Sequence, residues 1–191
     1  MDISISSFLE QKASFMASSQ ELEVCDRVLV GLPMDSTTSF RPGTRLAPFR
    51  IREVSEGIEE YSIYYDTSLE EINFYDAGDV IAPFGNVKES LRRMEKVISN
   101  FLASGKKVFS IGGEHLVTLP AVRAHKEFFS DLTVIQMDAH ADLRTDYLGE
   151  VLSHATVMRQ VLDVVGEKNL FQLGIRSGTR FIPPSVIACC W

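Results

Sequence analysis

At 191 residues, with 45% hydrophobic and 24% charged, the chain has the balance of a single soluble globular domain with a sizeable core, which argues against disorder. Its net charge of -7 argues against a general nucleic-acid binder and mildly favours attraction of a cation. Residues 1–20 mix acids and polar groups among the apolar ones, so neither a secretory leader nor a membrane span can be drawn, and the expected setting is the cytoplasm.

In chain order, residues 1–23 form an N-terminal arm. Its apolar positions Phe8, Leu9, Phe15 and Met16 predict a short amphipathic helix that packs on the body or on a neighbouring subunit. Residues 24–32, VCDRVLVGL, alternate into an apolar run stopped by Gly31 and Pro33, a first buried strand. Cys25 lies in that strand, and Cys189 and Cys190 are adjacent near the last residue, so the three cysteines make no disulfide framework.

A polar loop with Pro42 and Gly43 then runs into a predicted helix, capped by Thr44, whose apolar face is Leu46, Phe49, Ile51, Val54 and Ile58. Asp35, Arg41 and Arg45 in the loop are weak substrate-contact candidates beside their ordinary use, tying a long loop to carboxylates and carbonyls. Residues 61–65 and 73–75 are β-prone, and DAGDV after them predicts a strand end followed by a loop to Pro83. A clear helix follows. Asn86 caps it, and Val87, Leu91, Met94, Val97, Ile98, Phe101 and Leu102 form its stripe until Gly105 stops it. Strand VFSI, a helix after His115, strand TVIQM, a helix over about 155–165 and strand FQLGI complete the alternation. This order predicts a parallel α/β sheet with helices on both faces.

The chemistry concentrates in residues 133–142, TVIQMDAHAD, an apolar run that ends in Asp138, His140 and Asp142. In extended backbone these i, i+2 and i+4 positions point to one side. A core strand normally ends in turn residues, not in groups that need neutralising, so a metal is the expected neutraliser. His115 follows Gly112 and Gly113 at another strand end, and in open parallel sheets ligands gather at the carboxyl ends of strands. Together His115, Asp138, His140 and Asp142 offer two imidazoles and two carboxylates with no thiolate, a set that suits manganese better than structural zinc. His125, beside Lys126 and Glu127 on a helix, carries no such expectation.

GGEH at 112–115, DAHAD at 138–142 and SH at 153–154 resemble the successive motifs of the ureohydrolase family, which includes arginase and agmatinase. SFRPGTRLAPFRIREVSEGIEEYS and LGIRSGTR are similar to agmatinases in particular, so the resemblance covers most of residues 24–180. It implies a three-layer αβα domain with a mainly parallel, arginase-like sheet, and homo-oligomers. It also implies two manganese ions at which water is activated to attack a guanidinium carbon, releasing urea and an amine, putrescine when the substrate is agmatine. By the same resemblance His115 binds one ion, Asp138 bridges, His140 binds the other, Asp142 joins His115's ion, and His154 assists proton transfer near the substrate.

Two family features are absent. A Ser-x-Asp-x-Asp motif with two further ligands and a later glutamate do not occur, and the resemblance stops near Arg180, leaving a divergent tail at 181–191, FIPPSVIACCW. Four of the usual six ligands are thus supplied. In the family sheet the last two strands insert between the strand ending at GGEH and the one ending at DAHAD, so the expectation is an incomplete sheet with two unpaired edges facing a gap and an uncovered apolar face. The expectation is a chain cut short by a frameshift, a premature stop or an incomplete gene, with a naturally short relative bearing a divergent tail as the lesser alternative, and activity of the chain alone is doubtful. A non-catalytic metal-binding relative, and an amidinohydrolase acting on guanidinobutyrate or formiminoglutamate, are the alternatives.

Overall fold

The structure, a computed structural model, describes residues 3–180. In chain order its elements are α1 (Ile3–Ser6), β1 (Leu9–Glu10), β2 (Arg27–Leu32), α2 (Ala47–Ser55), β3 (Tyr61–Ser62), β4 (Thr67–Ser68), β5 (Phe74–Val80), α3 (Val87–Ala103), β6 (Lys107–Gly112), α4 (Thr118–Phe128), β7 (Val134–Met137), α5 (Val157–Val165) and β8 (Leu170–Leu173). The main sheet has the order β1-β5-β2-β6, with β2 parallel to both neighbours and β1 antiparallel to β5. β7 and β8 form a separate parallel ladder, and β3 with β4 a small antiparallel one. No described helix is long and apolar enough to cross a membrane.

Alternation along β2 sends Val28, Val30 and Leu32 to one face, where they join the stripes of α3, α4 and α5 in a single buried cluster. The expected stripe of α3 is buried from Leu91 to Leu102, the Asn86 side chain accepts the Glu89 N–H, and Gly105 follows at φ 74°. α5 buries Val157, Met158, Val161 and Leu162, as its spacing predicted.

The opposite face departs from the sequence reading at α2. Leu46, Ile51, Val54 and Ile58 are exposed, and the helix buries Pro48, Arg52 and Ser55 instead. Arg52 is 2% exposed and turns onto β5. Its Nε and Nη2 donate to the two oxygens of Asp76 at 2.7 and 2.8 Å, Nη2 also donates to the Gly78 carbonyl, and Nη1 donates to Asp79. This corrects one expectation, the apolar face of α2, while DAGDV ends strand β5 before the loop to Pro83, as expected. Those residues lie inside β5, because Arg52 neutralises aspartates that would otherwise be too costly to bury. Burial works against the charged guanidinium, yet the hydrogen bonds and charges of Asp76 and Asp79 outweigh it and hold Arg52 above its ordinary pKa. Burial pushes the Asp79 carboxyl up, against the pull of Arg52. Thr44 does not cap α2, and its hydroxyl donates to the Met34 carbonyl at 3.3 Å.

The arm also differs from a single amphipathic helix. It has one turn, α1, and then β1 pairs with β5, since an open strand edge gains more from a ladder than from a helix beside it. Phe15 packs edge-on against Phe74 at 6.2 Å, and its N–H donates to Asp76. The arm thus packs on the body, where Gly78 (φ 76°) lets the Glu10 carbonyl approach the β5 backbone closely.

Among the described residues no ladder joins β6 to β7. Along β6 to β8, the face away from α3–α5 carries Phe109, Ile135, Met137 and Phe171, all exposed, with Met137 at 82%. This is the gap and uncovered face that the resemblance implied.

Replacing Arg52 by leucine leaves Asp76 and Asp79 buried without a counter-charge, and urea unfolding of Arg52→Leu is expected to show a loss of about 3–5 kcal/mol. Adding Asp76→Asn and Asp79→Asn to that variant is expected to restore much of it.

Candidate metal centre

β6 delivers its carboxyl end beside that of β2. Beyond Gly112 the chain runs against the segment leaving β2, with Gly113 N–H donating to Leu32 O at 3.0 Å and Glu114 N–H to Met34 O at 2.7 Å. A Cβ on Gly113 would collide with the Met34 backbone, so glycine is required there by close approach. His115 then opens a 3-10 turn, His115–Val117, that leads into α4.

His115 Nδ1 lies 2.7 Å from Asp142 Oδ2 and 3.6 Å from Asp138 Oδ2. One donor atom from each of His115, Asp138 and Asp142 falls within 4.8 Å of the others. His140 stands on the far side of Asp138, its Nδ1 3.6 Å from Oδ1, with a side chain 65% exposed. Asp138 therefore sits between two imidazoles and presents a different oxygen to each.

Simple alternation does not produce this arrangement. β7 ends at Met137, and within residues 138–142 only His140 keeps a β-bridge, to Ser177. Asp138 N–H still donates to Leu173 O at 3.1 Å, and Ala141 N–H donates to Ser177 O at 3.0 Å. Asp142 adopts φ 48°, a left-handed backbone that aspartate tolerates better than most residues. Its carbonyl accepts the N–H groups of Met158 and Arg159 at the start of α5, at 3.1 and 3.3 Å. The expected same-face row is thus replaced by a loop that sends Asp138 and Asp142 toward His115 and turns His140 outward.

Beneath the loop lies a polar pair that the sequence reading missed. Gln136 and Gln172 face each other across the β7–β8 ladder, both buried, and the Gln172 amide donates to Gln136 Oε1 and to Ala141 O. That leaves the Gln136 amide to donate to Asp138 Oδ2 and His140 O, each at 3.1 Å. The available signal was a glutamine at the same place in two otherwise apolar strands, TVIQM and FQLGI. Burial raises the Asp138 pKa, but the His140 N–H, the Gln136 amide, the charge of His115 and the Ala139 N–H outweigh it and hold the carboxyl below its ordinary value. The group is poised as a carboxylate.

His154, the fifth residue singled out from the sequence, is half-buried beside this centre. Its backbone N–H donates to Thr37 Oγ1 at 2.9 Å, its ring meets Tyr147 edge-on at 5.4 Å, and its Nδ1 is buried without a hydrogen-bond partner. It lies close enough to Glu114 to act on that carboxyl. Glu114, only 4% exposed, was not anticipated in this role. Burial raises its pKa, and the hydrogen bonds from Thr37 with the charge of His154 offset part of the rise, while Asp35 adds to it. Asp35 and Arg45 serve the loop, because Asp35 accepts the Gly43 N–H at 2.7 Å and pairs with Arg45 at 3.1 Å. Arg41 lies over the Phe40 ring.

A family model described as Arginase: Arginase family matches residues 25–181. Agmatinases of Bacillus subtilis (strain 168) and Bacillus anthracis are each 49% identical over 166 residues, covering 87% of this chain and 57% of theirs. The crystal structure of the agmatine ureohydrolase of Thermoplasma volcanium is 32% identical and superposes with a TM-score of 0.84, covering 97% of this chain and 63% of that one. The chain thus spans less than two thirds of the length of these relatives.

Gln172→Leu removes the donor that satisfies both Gln136 and the Ala141 carbonyl, and urea unfolding is expected to register a loss of about 1–3 kcal/mol. Amide exchange at Ala141 and Asp142 should quicken in the same variant.

Proposed function

The chain belongs to the arginase family, and we propose that its family activity is the hydrolysis of agmatine to putrescine and urea at a manganese centre. The observation that carries this reading is the convergence of His115, Asp138 and Asp142, with His140 on the second oxygen of Asp138. A borderline imidazole with two hard carboxylates suits a divalent ion such as manganese, and a carboxylate flanked by two imidazoles suits a pair of ions. In this reading His115 and Asp142 would hold one ion, His140 would hold the other, and Asp138 would serve both. When bound, manganese supplies Lewis acidity and makes water nucleophilic near neutral pH.

The chain's own groups do the rest. Asp138, kept ionised by the hydrogen bonds around it, stays available as a donor at neutral pH. The Gln136 amide, fixed by Gln172, holds that carboxylate in place, as a group behind a metal ligand does. His154, the histidine that the resemblance puts near the substrate, is of the residue type suited to carry a proton to or from a substrate nitrogen. The same reading includes a cytoplasmic protein that assembles as a homo-oligomer.

These residues provide four of the six ligands that the family resemblance implies. With four of six ligands, and with β6 and β7 joined by no ladder among the described residues, the 191-residue chain by itself is expected to bind metal without efficient turnover.

The purified chain is expected to release little or no urea from agmatine. Joined after residue 180 to the remaining portion of the Bacillus subtilis agmatinase, it is expected to hydrolyse agmatine. In that fusion Asp138→Asn should lower kcat by about a hundredfold or more. A folded fusion that binds manganese yet releases urea only from 4-guanidinobutyrate would refute agmatine as the substrate, and robust turnover by the 191-residue chain would refute the need for the added strands.

A further inference from the structure

Three segments meet above the sheet with no ladder among them: the loop after β2, the turn between β6 and α4, and the loop before α5. They are joined by the buried Glu114 and the half-buried Thr37. Glu114 Oε2 accepts the Thr37 N–H at 2.9 Å and the Thr37 hydroxyl at 2.8 Å, and its other oxygen lies 3.2 Å from the same N–H. The Thr37 hydroxyl has one proton, and it is committed to the carboxylate. Its lone pairs are therefore free to accept, and the His154 N–H donates to them at 2.9 Å. The polarity runs one way along the chain, from His154 through Thr37 to Glu114. A hydrogen bond ending on a buried carboxylate is of the stronger, charge-assisted kind.

The link has a direction in function as well. Glu114 immediately precedes His115, so the carboxylate is rigidly attached to the candidate metal centre. Thr37 also lines a cleft of about 700 Å³ with Tyr147 and Ser153, and Tyr147 is the residue that flanks the His154 ring. We propose that Thr37 is a positioning residue, anchored by Glu114, that fixes the loop bearing His154 relative to the His115 end of β6. The proposal rests on the reading of His154 as the group beside the substrate, and assigns to Thr37 the task of keeping it there. Thr37 itself touches no reacting atom. Serine can replace it in this role; valine, of the same shape without the hydroxyl, cannot.

The test uses the 191-residue chain, labelled with 15N, and the variants Thr37→Val and Thr37→Ser. In Thr37→Val the His154 amide is expected to exchange with solvent roughly tenfold faster, the loss of one hydrogen bond. Its imidazole 15N shifts are expected to move, while those of His125, bonded to the Ala121 carbonyl within α4, stay fixed. Thr37→Ser should restore both signals. Should Thr37→Val fail to fold, Thr37→Ala removes the same hydroxyl without placing a methyl against Glu114 and carries the same expectation. Unchanged His154 signals in the valine or alanine variant, or no restoration by serine, would overturn the proposal. Both readouts are taken without substrate or metal. Their failure counts against positioning alone, and failure of the fusion to hydrolyse agmatine counts against the functional reading alone.

Discussion

The packing of α4 on α5 is the contact on which the rest depends. β6 and β7 are not paired, so no backbone ladder sets the distance between the strand end that carries His115 and the one that carries Asp138 and Asp142. The helices set it instead. His115 begins the turn that becomes α4, and the Asp142 carbonyl receives the first free N–H groups of α5. Leu116, Leu119 and Val122 lie in one buried cluster with Met158, Val161 and Leu162. A close-packed interior resists small shifts, so the His115 to Asp142 spacing of 2.7 Å inherits its rigidity from a core several residues away.

The two faces of the sheet are stabilised by different physics. Toward α3–α5 the driving force is apolar burial along a continuous cluster. Toward α2 it is electrostatic, a guanidinium placed between two aspartates, with β1 and Phe15 closing the edge. Only β2 and β5 benefit from that second layer. Phe109, Ile135, Met137 and Phe171 have no cover among the described residues, and the open edges of β6 and β7 border the same region. The candidate metal centre sits where these two conditions meet, well supported from one side and open on the other.

Most of this was legible in the sequence where one rule acted alone. The stripes of α3 and α5, the Asn86 cap and the strands VFSI, TVIQM and FQLGI follow from spacing and turn residues, and the candidate cluster of His115, Asp138 and Asp142 from residue type at strand ends. The failures came where a tertiary partner overrode a local pattern. No periodicity shows that Arg52 turns inward while Ile51 and Val54 remain exposed, because the cause lies in Asp76 and Asp79, two dozen residues on. The alternation read into DAHAD expected a pleat, whereas Asp142 reaches His115 through a left-handed turn. Cys189 and Cys190 lie outside the described residues.

The central claim is that His115, Asp138 and Asp142 form a divalent-cation site in the chain as it stands. Titration of the 191-residue protein with Mn2+, followed by electron paramagnetic resonance, tests it most directly. The account predicts that the protein binds Mn2+ and that Asp138→Asn and Asp142→Asn each weaken binding by about tenfold or more while the fold persists. Absence of bound Mn2+ in the folded parent chain, or binding undiminished in both variants, would contradict it.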